Sequence, residues 1–395
     1  MPFAVNNGCR LYWRQDGSAD KPALLLLNSI GTDLSLWDRT LPLLAERYRV
    51  IRMDTRGHGA SDAPDHPYTL ELLADDARTV LDAAGTTSAF VCGVSLGGMI
   101  AMTLALKETS HVRGLIAACT SAKLDPAAWQ SRLDTVETKG MSAIVDLALR
   151  RFLSESFRAA HPEIVATLKS GLLSIDPKGY VGCCAAIRDM DLLKALPQIR
   201  VPTLIISGTR DVSTPFDEHG ARIAQTIRGA QTVMLDTAHL ACLEASSAFA
   251  GAVAEFIDAV LDEGKMRSAL KVAYEGGLAT RRKILGDSWV DHTLATRTDF
   301  NADYQAMITR IAWNEIWSRP GLDQRTRRLL VLALTAALSR WEEFRLHLRA
   351  GLEQGGFTLD EVKETLMQTA IYAGVPAANT AFTEAAAALQ EPPLA

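Results

Sequence analysis

The first two thirds of the chain alternate short aliphatic runs with stretches of helical period. Apolar runs bounded by turn residues are typical of buried strands, and strands that alternate with helices indicate a mostly parallel sheet with crossover helices. We predict strands at 24–27, 89–92, 115–118, 201–207 and 232–235, and a closing helix at 252–261. The pattern therefore predicts an α/β fold for this part of the chain.

The strand signal disappears between residues 125 and 197, where helical patterns at 142–151 and 163–173 replace it. A helical insertion between two strands of such a sheet suits a cap over an active site. We therefore assign residues 1–262 to one α/β domain with a helical cap at about 125–197.

The rest of the chain shows no convincing strand. The segment 262–265 is expected to interrupt the helical pattern, and further on Asp323 and a capping box at Thr358 and Glu361 mark helix starts. We predict helices at 265–285, 301–317, 324–338, 340–354, from 358 onwards and at 377–389, followed by a short disordered tail. Residues 265–390 are thus predicted to form an all-α domain, large enough to fold alone.

A candidate nucleophile lies in the sequence Gly93-Val94-Ser95-Leu96-Gly97, between the predicted strand at 89–92 and a helix-like stretch. The glycines are needed because such a turn is strained and the neighbouring backbones approach closely. The turn presents the hydroxyl above the sheet, and the helix N-terminus favours developing negative charge. Because the motif also occurs by chance, its context decides its meaning.

A nucleophilic serine needs a base, and the base needs an acid that orients it. In a sheet enzyme of this kind they follow in the order Ser, Asp, His, each on a loop after a strand. Asp211 follows the strand at 201–207, and His239 follows the strand at 232–235. Asp125 is the alternative acid, but it lies far upstream of a suitable histidine. Other histidines are expected to be structural (His58) or solvated (His66, His111, His161 and His219).

An oxyanion hole for this serine is expected to consist of two backbone N–H groups. One belongs to the residue after the nucleophile, Leu96, and the other follows an early strand. Ile30, just after the strand at 24–27, is the candidate for the second.

The bulk composition excludes several classes of function. Hydrophobic residues make up 48% of the chain and charged residues 22%, as in ordinary globular proteins. With a net charge of −5, the chain has no basic surplus for binding nucleic acid or a membrane surface. It shows no secretory signal and no membrane-spanning run, and its six cysteines have no metal-ligand spacing, so we expect a cytoplasmic protein.

Together these residues resemble the α/β-hydrolase family over residues 1–260. The segment 28–33, Asn-Ser-Ile-Gly-Thr-Asp, with Trp37 close behind, is similar to the 3-oxoadipate enol-lactonases, whereas most α/β hydrolases have His-Gly at its first two positions. Trp129 and Arg132 also match the lid segment of that subfamily. The resemblance implies a serine hydrolase in which Arg132 binds a carboxylate of an anionic lactone and Trp129 lines the pocket. Packing within the cap is the alternative role for both.

In the helical domain, Glu343 and His347 are four residues apart and therefore neighbours on one helix face. A carboxylate beside an imidazole can transfer protons, although the spacing alone is more typical of a surface ion pair. Trp313 and Tyr372 are candidate pocket residues or core aromatics. The domain resembles the 4-carboxymuconolactone decarboxylases at 286–287, 319–323, 325–330, 343–347 and 372–378. Related thiol peroxidases carry a C-x-x-C site, so the absence of cysteine here favours the decarboxylase branch.

The two resemblances imply consecutive reactions in the protocatechuate branch of the β-ketoadipate pathway. The helical domain would decarboxylate 4-carboxymuconolactone to 3-oxoadipate enol-lactone, with His347 as the proton donor and Glu343 orienting it. The α/β domain would hydrolyse that lactone to 3-oxoadipate. The unsaturated lactone can hold the electron pair left by decarboxylation, so neither a metal nor an organic cofactor is expected. Helical domains often assemble, and we expect a homo-oligomer through this one.

Three alternatives stay open from the sequence. The helical domain can be a non-catalytic oligomerisation module, the first domain can be an esterase for another acidic substrate, or both domains can be degenerate ligand sensors. The intact set of Ser95, Asp211 and His239 counts against the last alternative.

Overall fold

The structure, a computed structural model, describes residues 3–65 and 67–391. The prediction for His66 and the part of the predicted tail beyond Glu391 lie outside these residues. The chain divides into two compact units, Met1–Leu261 and Asp262–Ala395. None of the described helices is long and apolar enough to cross a membrane.

The first unit is built on one eight-stranded sheet. Its strands are β1 (Phe3–Asn6), β2 (Cys9–Asp16), β3 (Ala23–Leu27), β4 (Arg49–Met53), β5 (Ala89–Val94), β6 (Val112–Ala118), β7 (Thr203–Gly208) and β8 (Gln231–Leu235). Their order is β1-β2-β4-β3-β5-β6-β7-β8, with β2 antiparallel to both neighbours and the remaining pairs parallel. All five predicted strands are present, so the predicted α/β fold is confirmed.

Helices connect the strands of the first unit and form the insertion between β6 and β7. They are α1 (Leu41–Ala45), α2 (Leu70–Ala83), α3 (Leu96–Lys107), α4 (Pro126–Lys139), α5 (Val145–Phe152), α6 (Glu155–Ala160), α7 (Pro162–Ser174), α8 (Pro177–Asp189), α9 (Gly220–Thr226) and α10 (Ala241–Glu244), with short 3₁₀ helices at Leu34–Trp37, Met141–Ala143 and Leu196–Gln198. The insertion consists of α4 to α8 and the last two of these 3₁₀ helices, and it contains no strand.

The central strands are buried on both faces. Every residue of β3 and of β5 is buried, because helices cover both sides of the parallel sheet. Leu24 of β3 pairs with Val50 of β4 on one side and with Phe90 of β5 on the other. The carboxyl ends of β3 and β5 therefore lie side by side, and ligand-binding loops of open α/β sheets meet at such an edge. The loop at 28–33 and Ser95 follow these two ends directly.

A buried ion pair fixes the loop after β4. The side chains of Arg56 and of Asp76 on α2 are each 1% exposed. Arg56 donates from Nε and Nη2 to the two carboxylate oxygens of Asp76 at 2.8 and 2.6 Å, and the Asn6 amide donates to the same carboxylate at 2.8 Å. Both charges are thus compensated within the core.

The described part of the second unit is entirely helical. Its helices are α11 (Ser246–Leu285, which begins in the first unit), α12 (Asp287–Ala295), α13 (Ala302–Ile308), a π-helix (Thr309–Ile316), α14 (Gln324–Ala337), α15 (Trp341–Glu353), α16 (Leu359–Ala373) and α17 (Val375–Ala388). The predicted all-α character is confirmed. As predicted, the side chains of Asp323 and Thr358 cap α14 and α16, each accepting from the backbone N–H three residues on.

The predicted interruption at 262–265 is wrong, because α11 runs through it. One glycine inside a helix costs only about 1 kcal/mol. Two side-chain ion pairs, Lys265–Asp262 and Arg267–Glu263, span this segment of the helix.

The predicted helix at 301–317 is divided into α13 and the π-helix, and α12 was not predicted. Close packing accompanies the π-helix, since a Cβ on Gly277 of α11 would overlap the carbonyl oxygen of Thr309. Only the missing side chain lets the two backbones approach this closely. Hydrophobic periodicity does not distinguish such a wide turn from an α-helical one.

We predict that Arg56→Met destabilises the first unit by about 3–5 kcal/mol, because it leaves the buried carboxylate of Asp76 unpaired. The double variant Arg56→Met/Asp76→Leu should recover most of that loss in urea denaturation. The control is Arg10→Met, which removes an exposed ion pair with Asp62 and should cost less than about 1 kcal/mol. A double variant no more stable than the single one would contradict the prediction.

Candidate active sites

Ser95 lies at the turn between β5 and α3 with φ +56° and ψ −116°. A residue other than glycine is strained in this conformation. The flanking glycines permit the turn, since a Cβ on Gly93 would overlap the Gly97 carbonyl and one on Gly97 would overlap the end of β3. The Ser95 N–H donates to the Ala118 carbonyl at 2.9 Å, and the Thr120 hydroxyl donates to the Ser95 carbonyl at 2.6 Å. The strained backbone is thus held on both sides of the side chain.

Asp211 and His239 form a buried hydrogen-bonded pair on the loops after β7 and β8. Oδ2 of Asp211 lies 2.8 Å from Nδ1 of His239, and the Thr214 hydroxyl donates to the same oxygen at 2.8 Å. Burial alone raises the pKa of Asp211, but His239 and the hydrogen bonds from Thr214 outweigh it and lower the pKa to about 2. The carboxylate is therefore ionised at neutral pH and accepts the Nδ1–H of His239.

Ser95 and His239 line one small cavity of about 170 Å³. Three other predicted residues also line it: Ile30, Trp129 and Arg132. Asp125, the alternative acid, reaches this cavity as well. Its carboxylate instead caps α4 by accepting from the Ala127 N–H at 3.0 Å. The geometry thus pairs the imidazole with Asp211 rather than with Asp125.

The loop after β3 is fixed from two sides. The Gly31 N–H donates to Nε2 of His58 at 3.0 Å, and burial lowers the pKa of His58 to about 4, which keeps this ring neutral. The Asn28 amide donates to the last residue of β4 at 2.7 Å and accepts from the Trp37 indole at 2.8 Å. These bonds hold the backbone around Ile30, so the predicted structural role of His58 agrees with its contacts.

Two residues near Ser95 offer backbone donors: Leu96 follows it in the chain, and Ile30 lines the same cavity. In the described part of the chain, the N–H groups of Ile30 and Leu96 donate to no protein acceptor. Leu96 is the first residue of α3, where N–H groups have no partner within the helix. Two such donors can stabilise an oxyanion formed at the serine.

Arg132 on α4 lies between two aromatic rings. Its guanidinium carbon is 5.2 Å from the ring centre of Trp129 and 5.5 Å from that of Tyr180. Its Nε and Nη2 are buried, and no described residue accepts a hydrogen bond from them. A guanidinium with unused donors in a cavity wall is suited to binding a carboxylate.

In the second unit, His347 on α15 is buried against two tryptophans. Its ring stacks on Trp317, with the ring centres 5.9 Å apart, and on Trp313, with the ring centres 6.5 Å apart. Among the described residues, none forms a hydrogen bond with its buried Nδ1. Burial and the positive charge of Arg328 lower the pKa of His347 to about 4. The free imidazole is therefore neutral at pH 7.

The predicted pair of Glu343 and His347 does not form. Glu343 is exposed, and in the described structure no hydrogen bond joins it to the imidazole. A hydrated carboxylate avoids the cost of burial beside the tryptophans, which explains why one helical turn does not bring the two groups together. Tyr372 is also exposed, whereas Trp313 is buried next to His347.

Two buried arginines near His347 were not singled out by sequence analysis. Arg281 on α11 lies over the rings of Trp289 and Trp313, with its guanidinium carbon 5.0 and 6.0 Å from the ring centres. Arg328 on α14 is the cation whose charge acts on His347. Arginines on helices are mostly exposed, so only packing identifies these two.

The described residues contain no group of three His, Cys, Asp or Glu side chains that could hold a metal ion. The six cysteines are buried free thiols.

The first unit matches known hydrolases. The alpha/beta hydrolase fold model matches residues 22–246. The 3-oxoadipate enol-lactonase 2 of Acinetobacter baylyi is 35% identical over 238 residues, which cover 60% of this chain and 89% of that relative. The crystal structure of the enol-lactonase from Burkholderia xenovorans LB400 superposes with a TM-score of 0.64 at 36% identity and covers 65% of this chain and 100% of that one.

The second unit matches a different family. The carboxymuconolactone decarboxylase family model matches residues 302–387. The 4-carboxymuconolactone decarboxylase of Acinetobacter baylyi is 46% identical over 109 residues, which cover 28% of this chain and 81% of that relative. The chain therefore belongs to the alpha/beta hydrolase family through its first unit and to the carboxymuconolactone decarboxylase family through its second, and it joins a hydrolase and a decarboxylase in one polypeptide.

Proposed function

We propose that the chain catalyses two consecutive reactions of the protocatechuate branch of the β-ketoadipate pathway. The second unit decarboxylates 4-carboxymuconolactone to 3-oxoadipate enol-lactone, and the first unit hydrolyses that lactone to 3-oxoadipate. The observation that carries the proposal is that one chain contains a unit similar to an enol-lactonase and a unit similar to a 4-carboxymuconolactone decarboxylase. The enol-lactone that the second unit produces is the substrate of the first unit.

In the first unit, Ser95 attacks the lactone carbonyl while Nε2 of His239 takes its proton, since Nδ1 is engaged with Asp211. The N–H groups of Ile30 and Leu96 stabilise the resulting oxyanion. Breaking the ring C–O bond releases an enolate, a good leaving group that takes up a proton and becomes the ketone. Water then hydrolyses the acyl-serine.

The substrate of this step is an anion, and Arg132 is the residue that binds its carboxylate. The support is a guanidinium that lines the cavity of Ser95 with two buried nitrogens unused among the described residues. Trp129 contacts the guanidinium with its ring and forms the adjoining wall. The aromatic contact holds the guanidinium while its donors stay available.

In the second unit, the bond between the ring carbon and its carboxylate breaks, and CO₂ leaves. The electron pair is delocalised into the unsaturated lactone as a dienolate, so this route calls for neither a metal nor an organic cofactor. His347 then delivers a proton, which it regains from water, to the ring carbon next to the lactone carbonyl. An anionic substrate beside His347 favours the protonated ring, which burial disfavours in the free protein.

Ser95→Ala is expected to stop hydrolysis and leave decarboxylation intact, so that 3-oxoadipate enol-lactone accumulates from 4-carboxymuconolactone. The loss of the nucleophile should lower the rate of hydrolysis at least about 10⁴-fold. Lactone absorbance and CO₂ release measure the two steps separately. If CO₂ release stops as well, the assignment of the two steps to separate units is wrong.

His347→Ala is expected to have the reverse effect. CO₂ release should fall at least about 10²-fold, while supplied enol-lactone is still hydrolysed at the original rate. The matched control is His292→Ala, which changes an exposed histidine of α12 in the same unit. Unchanged decarboxylation in His347→Ala would leave the second unit as a non-catalytic module.

The stability of the second unit should fall in acid because of His347. Its pKa is about 4 in the folded unit, against an ordinary value of 6.5. The unfolded chain therefore binds more protons between these values, and stability present at pH 7 is lost as the pH falls from 6.5 to 4. His347→Phe should reduce this loss by about 3 kcal/mol. The test is the melting temperature of the unmodified chain and of His347→Phe, measured by calorimetry at pH 7 and at pH 4.5. An equal fall in both proteins would contradict the role of His347.

We also propose that the chain forms a homo-oligomer through the second unit. A groove of about 590 Å³ between α14 and α16 is lined mainly by apolar side chains. Large exposed apolar residues lie on both helices: Leu330 and Leu334 on α14, with Leu338 at its C-terminal cap, and Met367, Ile371 and Tyr372 on α16. Such a continuous patch is typical of an interface, and helix faces of this kind pair in symmetric oligomers.

Leu334→Glu is expected to reduce the molar mass measured by light scattering to that of one chain, because it places a charge in the apolar groove. The control is Val5→Glu, at an exposed apolar position on β1 of the first unit, which should leave the mass unchanged. A monomeric unmodified protein, or a Leu334→Glu variant of unchanged mass, would refute the interface.

A further inference from the structure

Two arginines of the second unit are buried, and no described acidic side chain forms an ion pair with either. Arg281 is 6% exposed and Arg328 is 3% exposed. Within the described residues neither forms an ion pair, and Nε of Arg281 and Nη1 of Arg328 are shielded from solvent without an acceptor. Burial lowers the pKa of both side chains. A buried charge without a partner is strongly unfavourable, so its presence twice in one small domain points to an anion supplied from outside the chain.

Both arginines adjoin the aromatic cluster that contains His347. Arg281 lies over the ring of Trp313, and Trp313 stacks on His347. Arg328 lies on α14, which packs against α15, the helix that carries His347, and its charge lowers the pKa of the imidazole. The imidazole and the two guanidinium groups therefore belong to one buried cluster that also contains the rings of Trp313 and Trp317.

We propose that Arg281 and Arg328 are the anion-binding residues of the decarboxylation site, which rests on the function proposed above. Arg281 holds the carboxylate that the substrate keeps. Arg328 binds the lactone carbonyl oxygen as it becomes negatively charged. The site thus takes lactones that carry a second carboxylate besides the one they lose.

The place of each arginine relative to His347 supports this division. When the carbon–carboxylate bond breaks, its electron pair moves through the ring to the lactone oxygen, CO₂ leaves, and His347 protonates the carbon beside that carbonyl. The lactone oxygen must therefore lie near His347, where Arg328 is. The kept carboxylate is on the opposite side of the ring from the protonated carbon. Arg281 is placed against Trp313, with its guanidinium carbon 6.0 Å from that ring centre, and the ring centre of Trp313 is in turn 6.5 Å from that of His347.

The departing carboxylate is better placed against Trp313 and Trp317 than against an arginine. It loses its charge as CO₂ forms, so a guanidinium would stabilise it more before the reaction than in the transition state. Apolar aromatic rings destabilise the departing carboxylate while it is still charged. An arginine at the lactone oxygen, by contrast, stabilises negative charge that develops only during the reaction.

The two arginines should therefore affect different kinetic constants for CO₂ release by the full chain. Arg281→Met is expected to raise KM for 4-carboxymuconolactone about 10- to 100-fold with little change in kcat, as for a lost charge-assisted bond. Arg328→Met is expected to lower kcat about 10²- to 10³-fold. Lys283→Met removes an exposed cation two positions after Arg281 and should change neither constant.

A substrate analogue that lacks the ring carboxylate cannot be decarboxylated, so it tests the role of Arg281 by binding alone. This lactone acetate should inhibit CO₂ release competitively, and its methyl ester should bind at least tenfold more weakly. In Arg281→Met the acid and the ester should inhibit equally, and Arg281→Lys should restore part of the difference. A preference for the acid that persists in Arg281→Met would overturn the assignment of Arg281.

Thermal stability separates ligand binding from a structural role. Because each arginine is buried without a partner, both methionine variants should melt at or above the temperature of the unmodified chain. Lower melting temperatures for both would overturn the proposal, since the arginines would then serve the fold. If the unmodified chain releases no CO₂, the proposed function fails; if it does and the variants match it, only the arginine assignment fails.

Discussion

Burying a charged or polar group without an internal partner costs free energy, and both candidate sites of this chain contain such groups. In the first unit the group is Arg132, which lies between two rings with unused donors. In the second unit the groups are Arg281, Arg328 and His347. By contrast, the buried charges of Arg56 and Asp76 compensate each other. The four uncompensated side chains lack a hydrogen-bond or ion-pair partner within the described protein, and an anionic ligand would supply one.

Backbone strain adds to this cost in the first unit. Ser95 keeps a conformation that residues other than glycine avoid. The glycines around it let this turn pack against the end of β3. The parallel sheet then brings the loops after β5, β7 and β8 to one edge, where Ser95, Asp211 and His239 lie. Each of the three side chains thus lies on the loop that follows a strand. The hydrogen bond between Asp211 and His239 fixes which ring nitrogen faces the serine.

Much of this arrangement could be predicted from the sequence, since buried parallel strands are short apolar runs and strand order constrains the loops that follow. The five predicted strands and the caps at Asp323 and Thr358 are present for that reason. The continuous α11 could not be predicted, because one glycine is too weak a signal to decide a helix end. Arg281 was not considered, and Arg328 lay in the segment 325–330 quoted for the resemblance without being given a role, because helical arginines are ordinarily solvated. Glu343 was paired with His347 on helical spacing together with the resemblance to the decarboxylases, and neither reveals that Glu343 is exposed and His347 is buried.

The most direct measurement is carbon-13 and deuterium NMR of the unmodified chain acting on 4-carboxymuconolactone in D₂O. Two separate proton-handling sites acting in succession predict one CO₂ for each 3-oxoadipate. One deuterium should appear on the carbon next to the former lactone carbonyl, from the first step, and one on its neighbour, from the second. Failure to form 3-oxoadipate, or 3-oxoadipate without deuterium at the first of these carbons, would contradict this sequence of reactions.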